Sequence, residues 1–305
     1  MNSPDVAAAD AAIVEERVVV AACDGYPLGG TLYTAAHTTA VHDALVFNGG
    51  GGLACERYRH FLRFVATQGF AVLAYDYRGV GLSRPRRLRN FVAGLEDWSE
   101  FDQVGAIDWL RKRFPTARLS GISHSIGCVV ASAAPNASTL SRMVYIGPHT
   151  GLWKDYRARW RAPMTLVWHV GMPLIARTLG YFPGRRLHLG DDMPLRFALQ
   201  WAGRTTPEFR LDRREPVRAT RQQKLLDAAH ALRVPALVVS VFDDAFVSER
   251  AVLRFLLSIP SVAVERVKIE HDAVEGRKIG HFGFFGRHNA MLWPIATRFL
   301  RPSAK

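Results

Sequence analysis

The chain has 305 residues, 49% of them hydrophobic and 22% charged, an ordinary globular composition with room for one large α/β domain and an insertion, or for two small domains. No apolar run reaches the roughly 18 residues of a membrane span, and the start Met1-Asn2-Ser3-Pro4-Asp5 lacks the basic and apolar parts of a signal peptide, so a cytoplasmic location is expected. The net charge of +13 invites a nucleic-acid or membrane-surface reading, but only six of the 40 basic residues are Lys, an Arg- and Ala-rich bias that a GC-rich genome produces without selection for binding.

Residues 1–14 read as a frayed, alanine-rich leader. Residues 15–23 and 26–35 are β-branched or alternating runs joined at Asp24-Gly25, a strong hairpin signal. Ala44-Leu45-Val46-Phe47 is a short unbroken apolar run, as in strands buried on both faces of a parallel sheet, and it ends in Asn48-Gly49-Gly50-Gly51-Gly52. Tyr58, Phe61, Leu62 and Val65 recur at helical spacing within 56–68, and Gly69 stops that helix. Residues 71–75 form another buried strand, followed by Asp76-Tyr77-Arg78-Gly79-Val80-Gly81. A helix over 97–114 turns Trp98, Phe101, Val104, Ile107 and Leu110 inward and is closed by Pro115.

Residues 118–135 then spell strand, sharp turn and helix around Ser123-His124-Ser125-Ile126-Gly127. A serine in such a turn has small residues two positions away on each side, so that strand and helix can approach one another. Two frames compete. Ser125, with Ser123 and Gly127 around it, is preferred because it alone places glycine at plus two; Gly121-Ile122-Ser123-His124-Ser125 makes Ser123 the alternate. Cys128, just beyond, reads as a small buried apolar residue, and with Cys23 and Cys55 it forms an odd set without metal-ligand spacing, so no metal site or disulfide framework is indicated.

After a further strand at 143–146 the alternation of strand and helix breaks down. Residues 151–233 carry Trp153, Trp160, Trp168, Trp201, several prolines and a helix-like piece at 194–202, and read as a helical cap inserted into a core of 15–150 and 234–305. This segment holds 16 basic and 7 acidic residues, so most of the positive excess belongs to it. The alternation resumes with a strand at 235–240, a helix at 248–257, a strand at 262–269 and a last helix near 290–300. Strands and helices alternating at this spacing predict a mostly parallel sheet covered on both faces, with the polyglycine loop, the Asp76 loop and Ser125 gathered at the carboxyl edge.

An acyl-transfer serine needs a base, a carboxylate to orient the base, and donors for the oxyanion. Downstream candidates come in the order acid, Asp243 or Asp244 after the strand at 235–240, then histidine, His271 or His281. Serine, acid, histidine is the chain order that accompanies this kind of turn.

With Asp76-Tyr77-Arg78-Gly79-Val80-Gly81-Leu82-Ser83, Tyr181-Phe182-Pro183-Gly184, Asp243-Asp244 and Gly280-His281-Phe282-Gly283-Phe284-Phe285, the chain resembles the α/β-hydrolase fold superfamily over nearly its full length. The nearest resemblance is to a group of bacterial α/β-hydrolase-like serine hydrolases of unassigned substrate. It implies an eight-stranded, mostly parallel sheet, a helical cap over the site, and a triad carried onto Ser125, Asp244 and His281. Alignment on the strand at 234–240 favours Asp244 over Asp243, and the glycines bracketing His281 favour it over His271.

The oxyanion donors are expected to be the N–H of Ile126 and one from the glycine loop, with Gly50 as first choice. Neither G-x-x-x-x-G-K-[ST] nor G-x-G-x-x-G is present to make that loop a phosphate cradle. Asp76 reads as a turn former. The expectation is a serine hydrolase acting on a carboxylic ester, thioester or related acyl compound without metal or organic cofactor; acyl transfer on the same fold and a non-catalytic binding protein are the alternatives. Its partner is then a small acyl molecule rather than nucleic acid. Arginines of the cap, with Arg84, Arg86, Arg87 and Arg89, point to an entrance suited to an anionic tail, unless they are solvated helix faces.

Overall fold

The computed structural model describes residues 13–36, 40–203 and 215–301. The expected leader lies outside them except for Ile13 and Val14, which already belong to the first strand. In chain order the elements are β1 (Ile13–Ala21), β2 (Pro27–Ala35), β3 (Asp43–Asn48), α1 (Arg59–Thr67), β4 (Phe70–Tyr75), α2 (residues 95–113), β5 (Arg118–His124), α3 (Gly127–Ala133) and β6 (Met143–Ile146). They continue with α4 (residues 158–179), β7 (Tyr181–Phe182), β8 (Met193–Pro194), α5 (Leu195–Ala202), α6 (Pro216–Ala231), β9 (Ala236–Val241), α7 (Glu249–Leu257), β10 (Val264–Ile269) and α8 (Pro294–Leu300).

Eight strands form one sheet in the order β1-β2-β4-β3-β5-β6-β9-β10, antiparallel only where β2 meets β1 and β4. The six strands from β4 to β10 run parallel, so their carboxyl ends share an edge. This is an α/β-hydrolase fold. The apolar runs explain it residue by residue: in β3, Ala44 and Val46 face one core while Leu45 and Phe47 face the other, and all four are fully buried. Strands wanted on both faces must be continuously apolar, as these are.

Helix α1 places Phe61, Leu62, Val65 and Ala66 on one buried stripe against the second core, and Gly69 follows in left-handed conformation, φ +91°. Burying each large side chain there contributes on the order of 2 kcal/mol. The loop after β4 is tied down by Asp76, whose carboxylate accepts the N–H groups of Cys55 and Leu82, each at 2.7 Å. Asp76 is thus a turn former that also anchors the segment after the glycine loop.

The insertion after β6 is built from α4, the short β7–β8 pair and α5. Helix α6 does not belong with it. Its Leu225, Leu226 and Ala229 pack into the same core cluster as α3, and Arg221 pairs with Asp97 at 2.9 Å and with Glu100 at 2.5 Å on α2. We propose that the insertion ends before α6 rather than at residue 233. Mixed polarity along α6 hid a covering helix of the sheet, and residues 204–214 before it lie outside the described residues. No helix among the described residues is long and apolar enough to cross a membrane.

Candidate active site

Ser125 stands at the carboxyl end of β5 with φ +58°, a left-handed conformation that a non-glycine residue adopts at a cost of order 1–3 kcal/mol. The surroundings hold it there. Its N–H donates to the Ile146 carbonyl at 3.0 Å, and α3 starts at once behind it. A Cβ on Gly127 would lie 2.4 Å from the Gly49 carbonyl oxygen and 2.9 Å from that of Asn48, so only glycine lets α3 pack against the polyglycine loop. Ser123, the alternate, is fully buried inside β5 and accepts a hydrogen bond from Asn48 at 3.4 Å, away from the cavity.

The Ser125 hydroxyl donates to Nε2 of His281 at 2.9 Å, and Nδ1 of His281 donates to Asp244 Oδ2 at 2.7 Å. The other oxygen of Asp244 accepts the N–H groups of Phe246 and Val247 at 2.8 and 3.1 Å, which fixes the carboxylate. Asp243 turns the other way and holds the N–H groups of Ile279 and Gly280 at 3.0 and 2.8 Å, anchoring the loop that carries His281. His271 is exposed, against Phe242, and takes no part.

Gly50 does not have the place expected of it. Its N–H donates to the Tyr58 hydroxyl at 2.9 Å, while Gly51, whose N–H has no partner among the described residues, lines the cavity with Ser125. The Ile126 N–H likewise has no partner among the described residues. Counting along the glycine run could not reveal this, because the choice is made by a tyrosine on the following helical turn.

Beneath the site His124 links three segments. Its Nε2–H donates to the His281 carbonyl at 3.1 Å, which leaves Nδ1 as acceptor for the Tyr58 hydroxyl at 2.8 Å. Burial first, then the neighbouring His281, hold this imidazole well below its ordinary pKa of 6.5. The unfolded chain takes up the proton near pH 6.5 and the folded chain does not, so stability falls as pH drops from about 7 toward 5, by up to about 1.4 kcal/mol per pH unit. Urea midpoints across that window should show the decline, and His124→Asn, less stable throughout, should lose this part of the slope. An unchanged slope in the variant rejects the assignment.

Sequence reasoning missed His149. It lies in the loop after β6 with Nε2 at 3.0 Å from Ser125 Oγ, and a histidine three residues past a strand that ends at this edge is the one signal available.

The cavity above Ser125 measures about 500 Å³ and is walled by Leu53, Trp168, Met172, Phe197, Trp201 and Phe246, with Arg57 and His188 its basic side chains besides His281 among the described residues. Among the described residues, neither the cap arginines nor Arg84, Arg86, Arg87 and Arg89 line this cavity. Arg84 pairs with Asp192 at 3.1 Å and Arg185 with Asp191 at 2.8 Å; Arg86, Arg87 and Arg89 are not in the lining. Arg57 itself lies 3.7 Å from Asp191. Among the described residues no group of His, Cys, Asp and Glu is placed to hold a metal ion.

A family model described as serine aminopeptidase, S33 (Hydrolase_4) matches residues 39–272. No curated protein matches the sequence. Among solved structures, the esterase Pf2001 of Pyrococcus furiosus is 15% identical with a TM-score of 0.61, covering 98% of this chain and 94% of its own. DcsB, solved with its substrate analogue, is 16% identical with a TM-score of 0.59, covering 94% and 98%. The acylaminoacyl peptidase of Pyrococcus horikoshii is 14% identical with a TM-score of 0.58, covering 95% of this chain and 41% of its own. At these identities the likeness is one of fold.

Proposed function

The chain belongs to the Hydrolase_4 (serine aminopeptidase, S33) family of α/β-hydrolases, and from that premise we propose that it is a serine hydrolase cleaving a carboxylic ester or thioester of an apolar acyl group. The observation that carries this reading is the chain of hydrogen bonds from Ser125 through His281 to Asp244, opening on an aromatic cavity. Asp244 holds His281 in the tautomer that accepts at Nε2. His281 takes the Ser125 proton as Oγ attacks the acyl carbon, then gives it to the leaving oxygen or sulfur. A water activated by the same imidazole attacks the acyl-enzyme and releases the acid. The Ile126 and Gly51 N–H groups supply the oxyanion donors; neither needs to break a bond to do so.

The lining argues for esters over aminopeptide substrates. A peptide amino terminus is an ammonium that calls for a carboxylate, and no Asp or Glu lines the cavity among the described residues. Its walls match an acyl chain or ring instead. Turnover of p-nitrophenyl esters set against aminoacyl p-nitroanilides tests this, and faster cleavage of the anilides rejects it.

An anionic tail on the acyl group is expected to gain little. Among the described residues Arg57 is the one arginine of the lining, and its guanidinium lies 3.7 Å from Asp191. Arg57 is more than half exposed, and an exposed guanidinium gains about 0–1 kcal/mol from a carboxylate, so kcat/KM for neutral and ω-carboxylate esters of equal length should agree within about fivefold. The ratio should also stay within that range between ~0.05 and ~0.5 M salt, over which exposed charges become screened. A larger, salt-sensitive preference restores the anionic substrate class.

A further inference from the structure

Two imidazoles meet at one hydroxyl. His281 Nε2 lies 2.9 Å from Ser125 Oγ and His149 Nε2 lies 3.0 Å from the same atom. A serine hydroxyl has one proton to donate and lone pairs with which to accept, so the two nitrogens cannot play the same part. Their other ring nitrogens decide which does what. His281 Nδ1 faces a carboxylate, which only accepts, so its proton is on Nδ1 and its Nε2 is bare. His149 Nδ1 is met by the Gly151 N–H at 3.1 Å, which only donates, so Nδ1 is bare and the proton is on Nε2, aimed at Ser125.

The ring has little freedom to do otherwise. His149 is 2% exposed and stands edge to face with Trp201 and His281, each at 5.4 Å between centroids, and tilted against Phe246 at 5.8 Å. Gly147, at φ +55°, turns the chain immediately after β6, and its N–H is fixed to the Val239 carbonyl at 2.8 Å, so the loop returns over the end of β5. To act as a base, His149 must move its proton onto Nδ1, against the Gly151 N–H.

We infer that His149 is a second catalytic histidine that donates its Nε2–H to Ser125 Oγ and stays neutral through the reaction. This rests on the reading of Ser125 as nucleophile. In acylation the Ser125 proton passes to His281 Nε2, Oγ bonds to the acyl carbon, and the carbonyl electron pair moves onto oxygen; His149 keeps its proton. As Oγ loses its own proton it gains negative charge, and a hydrogen bond to a charged acceptor is roughly twice as strong as one to a neutral acceptor. The same donor steadies Oγ when it departs in deacylation. In the resting enzyme it also leaves the hydroxyl proton one place to go, toward His281.

The experiment compares His149→Phe, which keeps a ring against Trp201 and Phe246 but has no N–H, with His149→Gln, whose amide restores a donor. Both are measured by the rate of fluorophosphonate labelling of Ser125 and by the pH profile of p-nitrophenyl ester turnover. His149→Phe is expected to lower labelling and kcat together by about 10- to 100-fold with KM little changed, and His149→Gln to recover to within about fivefold of the unaltered enzyme. The acidic limb of the pH profile should persist in both. A labelling rate in His149→Phe within threefold of the unaltered enzyme overturns the inference, as does loss of the acidic limb, which makes His149 the base. If the unaltered enzyme fails to label at Ser125, the nucleophile assignment falls first and this inference with it.

Discussion

Ser125→Ala is expected to abolish labelling by a fluorophosphonate probe and to lower ester turnover by at least about 10⁴-fold, while the free energy of unfolding stays within about 1 kcal/mol. Alanine removes one hydroxyl and keeps the backbone at φ +58°, a conformation it tolerates no worse than serine. The alternate serine cannot take over the acyl bond, because Ser123 is buried within β5 and bonded to Asn48. Tryptic cleavage leaves both serines on the peptide 119–142, so the modified residue must be located by fragmentation. A label on Ser123, or labelling that survives Ser125→Ala, ends the assignment.

The second large effect separates adjacent residues. His281→Ala and Asp244→Asn should each cost about 10³- to 10⁴-fold in kcat, the first by removing the base and the second by favouring the wrong tautomer of His281. His271→Ala should leave turnover within about twofold, since that ring lies outside the cavity. Asp243→Asn should fall between, near 10-fold. Its carboxylate accepts two N–H groups of the loop bearing His281, and an amide can accept with one atom only, so the loop loosens without losing its base. Greater damage from Asp243→Asn than from Asp244→Asn reverses the roles of the two acids.

Much of the fold is written in short stretches. The doubly buried runs of β3, β4 and β9, the stripe of α1 and the Asp24-Gly25 turn depend on residues a few places apart, and their physics is local. Serine with glycine at plus two is likewise a short pattern, although the room Gly127 leaves is for the Asn48 and Gly49 carbonyls at the end of the neighbouring strand. Helix α6 is the counterexample. Its few apolar positions are diluted by Arg, Gln and Lys, and only its place against α3 and α2 shows it to be part of the core.

The sequence by itself determined a mostly parallel α/β sheet with serine, acid and histidine candidates in that order, because alternation of strand and helix and turn chemistry are set over a handful of residues; its dispersed motifs carried the resemblance to α/β-hydrolases. Tertiary structure alone decided which way each candidate side chain points. Asp243 and Asp244 are covalent neighbours, yet one turn sends the first to backbone amides and the second to His281. Gly50 and Gly51 differ only in that Tyr58, eight residues past Gly50, takes the Gly50 N–H. His149 reaches Ser125 because β6 lies beside β5 in parallel, a pairing that no local pattern encodes. Hydrogen-bond direction is settled within a few tenths of an ångström by partners far apart in the chain, and so a sequence can supply the reacting groups while the packed structure assigns their parts.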